Sequence, residues 1–271
     1  MKKIIYISIG ALFSLLFLAT TLSAQEFKIM SYNVKAFEGQ TNDPELMFRL
    51  QPFVDEIKKY NPDIICIQEL ETHTSRQEAR ELLTELGSML GMYPLFGFSY
   101  VKDIGWYGNG ILSKYPIMST FSSLLPYNNN QSYDQRSFVA ADILIPVQGK
   151  PEGKIVRIVN THLDHRNNSP YYGQREQHAK YIIDNAFDSS IPTILVGDMN
   201  EGPTSTNSKA IAAFNTVCDR ICDDTGTFGG SKLDYIFSYP QSVWTKVDYT
   251  VDRTNRLSDH YPIIGTVRVS N

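Results

Sequence analysis

The sequence predicts an α/β sandwich in which two mostly antiparallel sheets pack face to face with helices outside. Three observations point there. From residue 26 onward, apolar runs of strand character alternate with segments of helical spacing. The middle of the chain is a series of apolar or alternating runs separated by turn-rich segments around Pro116, residues 128–130 and residues 149–153, as antiparallel strands require. Finally, 271 residues with 42% hydrophobic content can bury a large core, and no repeat, low-complexity tract or long linker divides them. One domain over residues 25–271 is expected.

The first 24 residues stand apart. Lys2 and Lys3 precede an apolar run over residues 4–19 and small residues ending in Ser23-Ala24, the pattern of a secretory signal peptide cleaved after Ala24. Ser8, Gly10 and Ser14 interrupt the run, which falls short of the ~20 residues of a membrane span. Export to the periplasm or the extracellular space is therefore expected. The remainder carries 23 Lys and Arg against 29 Asp and Glu, a net charge of −6. Lys58-Lys59 is its only adjacent basic pair, whereas sequence-independent polyanion binders show the opposite balance.

Residues 27–32 read as a strand. Residues 44–60 place Leu46, Leu50, Phe53, Val54 and Ile57 at helical spacing, with Asn42 or Asp43 as cap and Pro44 in the first turn. A short strand follows over 63–68, then a helix over 76–90 through Ala79, Leu82, Leu83 and Leu86 that stops at Gly91. Strands are expected over 110–113, 136–145 and 154–161, a helix over 171–187, a strand over 193–196 and a helix over 205–214. Residues 233–237, 243–247 and 261–269 supply the closing strands. Cys66 lies within an apolar run and reads as a buried thiol. Cys218 and Cys222 can pair in an oxidising compartment only if residues 217–222 are not helical, and their pairing stays open. They lack the further ligands that a zinc site needs.

Polar residues recur at or near the ends of these strands: Asn33, Glu69, His162, Asp198 with Asn200, Asp234, and Asp259 with His260. Singly, each has an ordinary explanation as a turn, cap or core residue. Together, four carboxylates, two imidazoles and two carboxamides form a set suited to a hard cation and to proton transfer. No HExxH helix or GxSxG elbow points to a peptidase or esterase site instead.

The motifs Ser31-Tyr32-Asn33-Val34, Asn61-Pro62-Asp63 with Gln68-Glu69, residues 108–117 (GNGILSKYPI), Asn160-Thr161-His162-Leu163, Gly197-Asp198-Met199-Asn200, Leu233-Asp234-Tyr235 and Ser258-Asp259-His260-Tyr261-Pro262 occur in one order along the chain. In these motifs and their order the sequence resembles the endonuclease/exonuclease/phosphatase superfamily. The resemblance implies a four-layer α/β/β/α, DNase I-like sandwich and divalent-metal-dependent hydrolysis of phosphoesters. It implies Glu69 as principal ligand of Mg²⁺ or Mn²⁺, with Asn33 and Asp259 completing or orienting the shell. It further implies His260 as general base with Asp234 fixing its tautomer or, in the other description of the family, Asp198 activating a water positioned by Asn200. His162 and Arg136 would contact the phosphate, with Asn200 beside them.

Weaker candidates are Asp164 and His165 for a second cation, Arg175 and Gln177 as braces beneath the His162 loop, and Asn109 as a turn residue of positive φ. Trp106-Tyr107 or Tyr171-Tyr172 are candidate exposed aromatics at a lipid surface. The functional expectation is a secreted phosphodiesterase or phosphatase acting on nucleic acid, a small phosphate ester or a phospholipid head group, as a monomer without a protein partner. The alternatives are a non-catalytic phospholigand-binding module and, within the enzyme class, a phospholipid or inositol phosphate phosphoesterase.

Overall fold

The computed structural model describes residues 26–39, 48–127, 134–147, 150–166, 168, 171–206 and 209–269. Residues 1–24, expected to form a signal peptide, lie outside these residues. One six-stranded sheet has the order β11 (Trp244–Val251), β12 (Ile263–Val269), β1 (Phe27–Asn33), β2 (Ile64–Thr72), β4 (Gly105–Ser113), β3 (Tyr93–Lys102). The other has the order β5 (Ile117–Leu124), β6 (Ser137–Val147), β7 (Lys150–His162), β8 (Thr193–Asp198), β10 (Asp234–Tyr239), β9 (Asp219–Arg220). β1 with β2 and β7 with β8 run parallel; the other pairings are antiparallel.

The continuous apolar runs at the middle of each sheet arise because those strands are buried on both faces. Ile29, Ile64, Ile158 and Ile194 face the core between the sheets. Their neighbours Met30, Ile65, Val159 and Leu195 point the other way, against the outer helices. α1 (Gln51–Tyr60) and α2 (Leu82–Leu90) cover the first sheet with Phe53, Ile57 and Leu86. α3 (Gln174–Ala186) and α4 (Ala210–Asn215) cover the second with Ile182, Ile211 and Phe214. The result is the expected α/β/β/α order of layers. Close approach is also built into the sheet: a Cβ at Gly197 would lie 2.0 Å from the carbonyl oxygen of Thr161, so only glycine fits between β7 and β8 beside Asp198.

Several elements differ from expectation. Of the segment 44–60, the described helix is α1, whose first turn holds Pro52; residues 40–47 lie outside the described residues. Residues 76–81 do not join α2, because Glu78 and Ala79 adopt φ of 54° and 56° and break the helix after a 3-10 turn at Ser75–Gln77. α3 starts at Gln174 and α4 at Ala210, each later than its apolar spacing suggests. β3 and β5 are additional strands at sheet edges, where large apolar residues such as Tyr93, Phe98, Met118 and Leu124 stay exposed and blur the apolar/polar alternation of a half-buried strand. Asn109 lies inside β4 and is buried, donating to the Ser137 carbonyl at 3.2 Å, so it is not a turn residue. Cys66, Cys218 and Cys222 are all buried free thiols.

Ile236 is fully buried between the sheets, and Ile236→Ala is expected to destabilise the protein by about 2–5 kcal/mol. Thr250→Ser, on the exposed face of edge strand β11, should change stability by less than about 0.5 kcal/mol. Urea denaturation of both variants checks the contrast; equal losses would contradict the layer assignment.

Candidate active site

The strand ends converge as the residue pattern requires. β1 ends at Asn33, β7 at His162 and β8 at Asp198, while antiparallel β10 begins at Asp234 and so presents it at the same edge. Asn33 joins the two sheets. Its Nδ2 donates to Glu69 Oε1 and to Asp198 Oδ2, both at 3.0 Å, and its Oδ1 accepts from the Lys35 amide at 3.1 Å. Its carbonyl accepts from Ser258 Oγ at 2.7 Å, which ties down the loop carrying Asp259 and His260.

Glu69 is not at a strand terminus but inside β2. It sits at a break in register between Ile67 and Leu70 with φ of 57°, a strained conformation for a side-chain-bearing residue and one that re-aims it. The cause lies across the sandwich. Asn160 Nδ2 donates to the carbonyls of Ile67 and Gly110 at 2.9 and 2.8 Å, and Gln68 Nε2 donates to Asn160 Oδ1 at 2.7 Å. These fully buried amides bridge β2, β4 and β7 and shape the bulge that presents Glu69. Sequence reasoning quoted Gln68 and Asn160 only as motif letters; two carboxamides inside apolar runs were the available signal.

Asp198 is at the centre. Its Oδ2 lies 3.5 Å from His162 Nε2 and 3.6 Å from His260 Nε2, and its Oδ1 accepts from the Asn200 amide at 2.9 Å. Burial and the nearby Asp234 charge lift the Asp198 carboxyl to about 7. His260 Nδ1 is 2.9 Å from Asp234 Oδ2. Burial opposes the imidazolium, but Asp234 and Asp198 outweigh it and raise His260 to about 10. The dyad is held by Thr227, absent from the sequence-based set, whose Oγ1 accepts from the Leu233 and Asp234 amides at 3.1 Å and whose carbonyl accepts from the Tyr261 amide at 2.7 Å.

Arg136 is 5% exposed and therefore not a surface arginine. Its Nη1 lies 3.0 Å from His162 Nδ1, and Asn200 Nδ2 lies 2.9 Å from His162 Nε2. Burial, and then the Arg136 charge, hold the His162 imidazolium far below its usual range, so His162 is neutral at physiological pH. The site is thus polarised, with a charged His260 and a neutral His162 on either side of one carboxylate.

A profile of the Endonuclease/Exonuclease/phosphatase family matches residues 30–260, which span every residue of this cluster. The chain belongs to the Endonuclease/Exonuclease/phosphatase family. Solved structures agree on the fold. An endonuclease/exonuclease/phosphatase from Bacteroides vulgatus superposes with a TM-score of 0.69 at 20% identity, covering 91% of this chain and 100% of that one. The human Nocturnin catalytic domain gives 0.71 at 17% identity over 90% and 94% of the two chains. A mannosyl-6-phosphatase from Bacteroides thetaiotaomicron gives 0.65 at 18% over 90% and 100%. No curated protein sequence matches the chain.

In this member of the family two sets of side chains have the chemistry to hold a metal ion. Ligand atoms of Asp198, Asp234 and His260 lie within 4.8 Å of one another. That set is buried: Asp198 accepts from Asn33 and from the Asn200 amide, His260 Nδ1 pairs with Asp234 Oδ2, and Asp234 Oδ1 has no hydrogen-bond partner. Glu69 is only partly buried, lines an open cleft with Lys35, and touches Asn33; Asp259 is 3.7 Å from Lys35 with its side chain 39% exposed. A hard ion that keeps several waters suits the half-open carboxylates better than a closed nest containing an imidazole. Asn33 directs its amide nitrogen, not its oxygen, at Glu69, so here it orients the carboxylate.

The weaker candidates resolve differently. Asp164 is fully buried and paired with Arg166 at 2.6 Å, and His165 Nδ1 faces Arg136 Nη2 at 3.1 Å, which does not suit a second cation. Arg175 is a brace, donating to the Asp164 carbonyl at 3.2 Å, whereas Gln177 is exposed. Trp106 and Tyr172 are exposed, but Tyr107 is buried and Tyr171 stacks against Arg166 at 3.9 Å.

The dyad gives a signed pH dependence in the chelated protein. Because the folded His260 pKa exceeds its ordinary value near 6.5, the stabilisation from its bound proton is complete below about 6.5 and is lost as pH rises toward 10. Thermal melts in EDTA should show Tm falling between pH 7 and 10. Asp234→Asn should flatten that slope; an unchanged slope would remove the pairing as its cause.

Proposed function

We propose that the protein is an exported, Mg²⁺- or Mn²⁺-dependent hydrolase that directs water at a phosphoester. The observation that carries this reading is the position of Asp198 Oδ2, within 3.6 Å of Asn33, His162 and His260 at once. A carboxyl that titrates near 7 is matched to a general base at neutral pH, because proton acceptance is most effective when the pKa lies close to the working pH. Asp198 therefore takes the proton of the attacking water, and Asn200 positions that water. His260, charged and aimed by Asp234, donates to a phosphoryl oxygen. Neutral His162 and cationic Arg136 bind the same group. Glu69 would hold the metal, with Asn33 and Asp259 orienting it; when bound, the ion would polarise the phosphoryl group and offset charge on the departing oxygen.

Export rests on residues 1–24, and mass spectrometry of the secreted protein should find a mature N-terminus at Gln25. The net negative balance favours small phosphate esters over duplex nucleic acid.

The deciding assay compares hydrolysis of para-nitrophenyl phosphate, its bis-ester, plasmid DNA and RNA with Mg²⁺, Mn²⁺ or EDTA. Cleavage lost in EDTA and reduced at least 10²-fold in His260→Ala and Asp198→Ala is expected. Tight binding of a phosphorylated ligand without turnover of any substrate would instead indicate a binding module.

A further inference from the structure

Among the described residues, four Lys and Arg side chains line the cleft beside Glu69, and three of them are held away from it by other groups. Arg76 pairs with Glu38 and with the fully buried carboxylate of Glu71, which also takes Lys102. The Arg136 guanidinium faces His162 and His165 at 3.0 and 3.1 Å. Lys35 differs, because its ammonium stands at the candidate metal site. Its Nζ lies 3.7 Å from Asp259 Oδ2, while Asp259 Oδ1 accepts from Ser258 Oγ at 3.3 Å. The two side chains are 41% and 39% exposed, so their ion pair is solvated and readily exchanged.

The backbone beneath that half-exposed side chain is fixed. Lys35, Ala36 and Phe37 hold φ of 46°, 52° and 60°, a left-handed turn that side-chain-bearing residues rarely adopt in succession. The Lys35 amide donates to Asn33 Oδ1 at 3.1 Å, Gln77 Nε2 donates to the Ala36 carbonyl at 3.0 Å, and the Phe48 amide donates to the Phe37 carbonyl at 2.9 Å. Phe37 is fully buried, edge-on to Phe53 at 4.9 Å. The strained turn therefore delivers one long-stemmed cation to a set place, where exchange needs only a rotation of the side chain.

We propose that the Lys35 ammonium is a resident counter-cation of the metal site, neutralising Asp259 beside Glu69 and leaving when a divalent ion enters, so that it sets how tightly the ion is held. The inference rests on the reading of Glu69 and Asp259 as the groups that hold and orient that ion. Lysine suits the role, since its ammonium is a compact point charge on a flexible four-carbon stem and neutralises a carboxylate without the fixed fork of arginine. Before the ion enters, the ammonium offsets the repulsion between carboxylates gathered at one place. Afterwards two carboxylates balance the divalent charge, and an ammonium left beside them is a surplus cation that repels the ion. Metal entry is thus an exchange of cations, and its affinity is lowered by the charge it displaces.

Titration with Mn²⁺, with the free ion read by electron paramagnetic resonance, gives Kd for the wild type, Lys35→Met, Lys35→Arg and Glu69→Gln. Met keeps an unbranched side chain on the same turn and removes the charge, so Kd should fall about fivefold, the scale of one exposed ion pair. Lys35→Arg keeps the charge and should stay within about twofold of the wild type. Thermal melts give a second readout: the rise in Tm at a fixed Mn²⁺ concentration should be larger in Lys35→Met than in the wild type. Binding lost in Glu69→Gln but of unchanged or higher Kd in Lys35→Met would overturn this inference and leave the hydrolase reading standing. An equal fall of Kd in Lys35→Met and Lys35→Arg would do the same, because the charge would not be its cause. No Mn²⁺ bound by the wild type, or binding unmoved in Glu69→Gln, would overturn both.

Discussion

A single side-chain amide holds the two halves of this protein's chemistry together. Asn33 Nδ2 donates to Glu69 from one sheet and to Asp198 from the other, each at 3.0 Å. Both acceptors are carboxylates, so each bond is charge-assisted, and the amide stands between two groups that would otherwise repel. Around it the sandwich behaves as a frame. Parallel pairs β1 with β2 and β7 with β8 send their ends to one edge, and the Ser258 bond to the Asn33 carbonyl brings the C-terminal loop to the same place.

That frame explains why two imidazoles in one site behave oppositely. Asp198 lies 3.5 Å from His162 and 3.6 Å from His260; His260 has Asp234 as a second carboxylate and holds its proton, whereas His162 faces a guanidinium and an amide nitrogen and stays neutral. Burial alone would discharge both, so the difference comes from which charges the strands place beside each ring. The proposed division of labour, His260 as donor and His162 at the phosphate, rests on that placement.

Much of this was legible in the sequence because it depends on period and order. Ile29-Met30, Ile64-Ile65 and Ile194-Leu195 announce strands buried on both faces, and a polar residue beyond such a run marks the sheet edge. What stayed hidden depends on contacts across the sandwich. The bulge at Glu69 is shaped by Asn160 from the opposite sheet, and within residues 63–72 Gln68, a carboxamide in an apolar run, is its one trace. Residues 76–81 have helical spacing, yet hydrogen bonds from Gln77 to Ala36 and from Arg76 to Glu71 hold them in another conformation. Arg136, expected at the phosphate from the resemblance alone, carries no sign in its own stretch of sequence of the burial the structure gives it. Edge strands β3 and β5 escape because apolar residues stand on both their covered and their exposed faces, so no alternation separates the two.

On the proposed function, Asn33 stands between a carboxylate that would hold the metal, Glu69, and one that would accept a proton, Asp198. Anomalous diffraction from crystals soaked in Mn²⁺ tests it directly. One peak is expected at the Glu69 carboxylate, lost in Glu69→Gln and retained in Asp234→Asn. A peak seated among Asp198, Asp234 and His260, lost in Asp234→Asn and retained in Glu69→Gln, would contradict it.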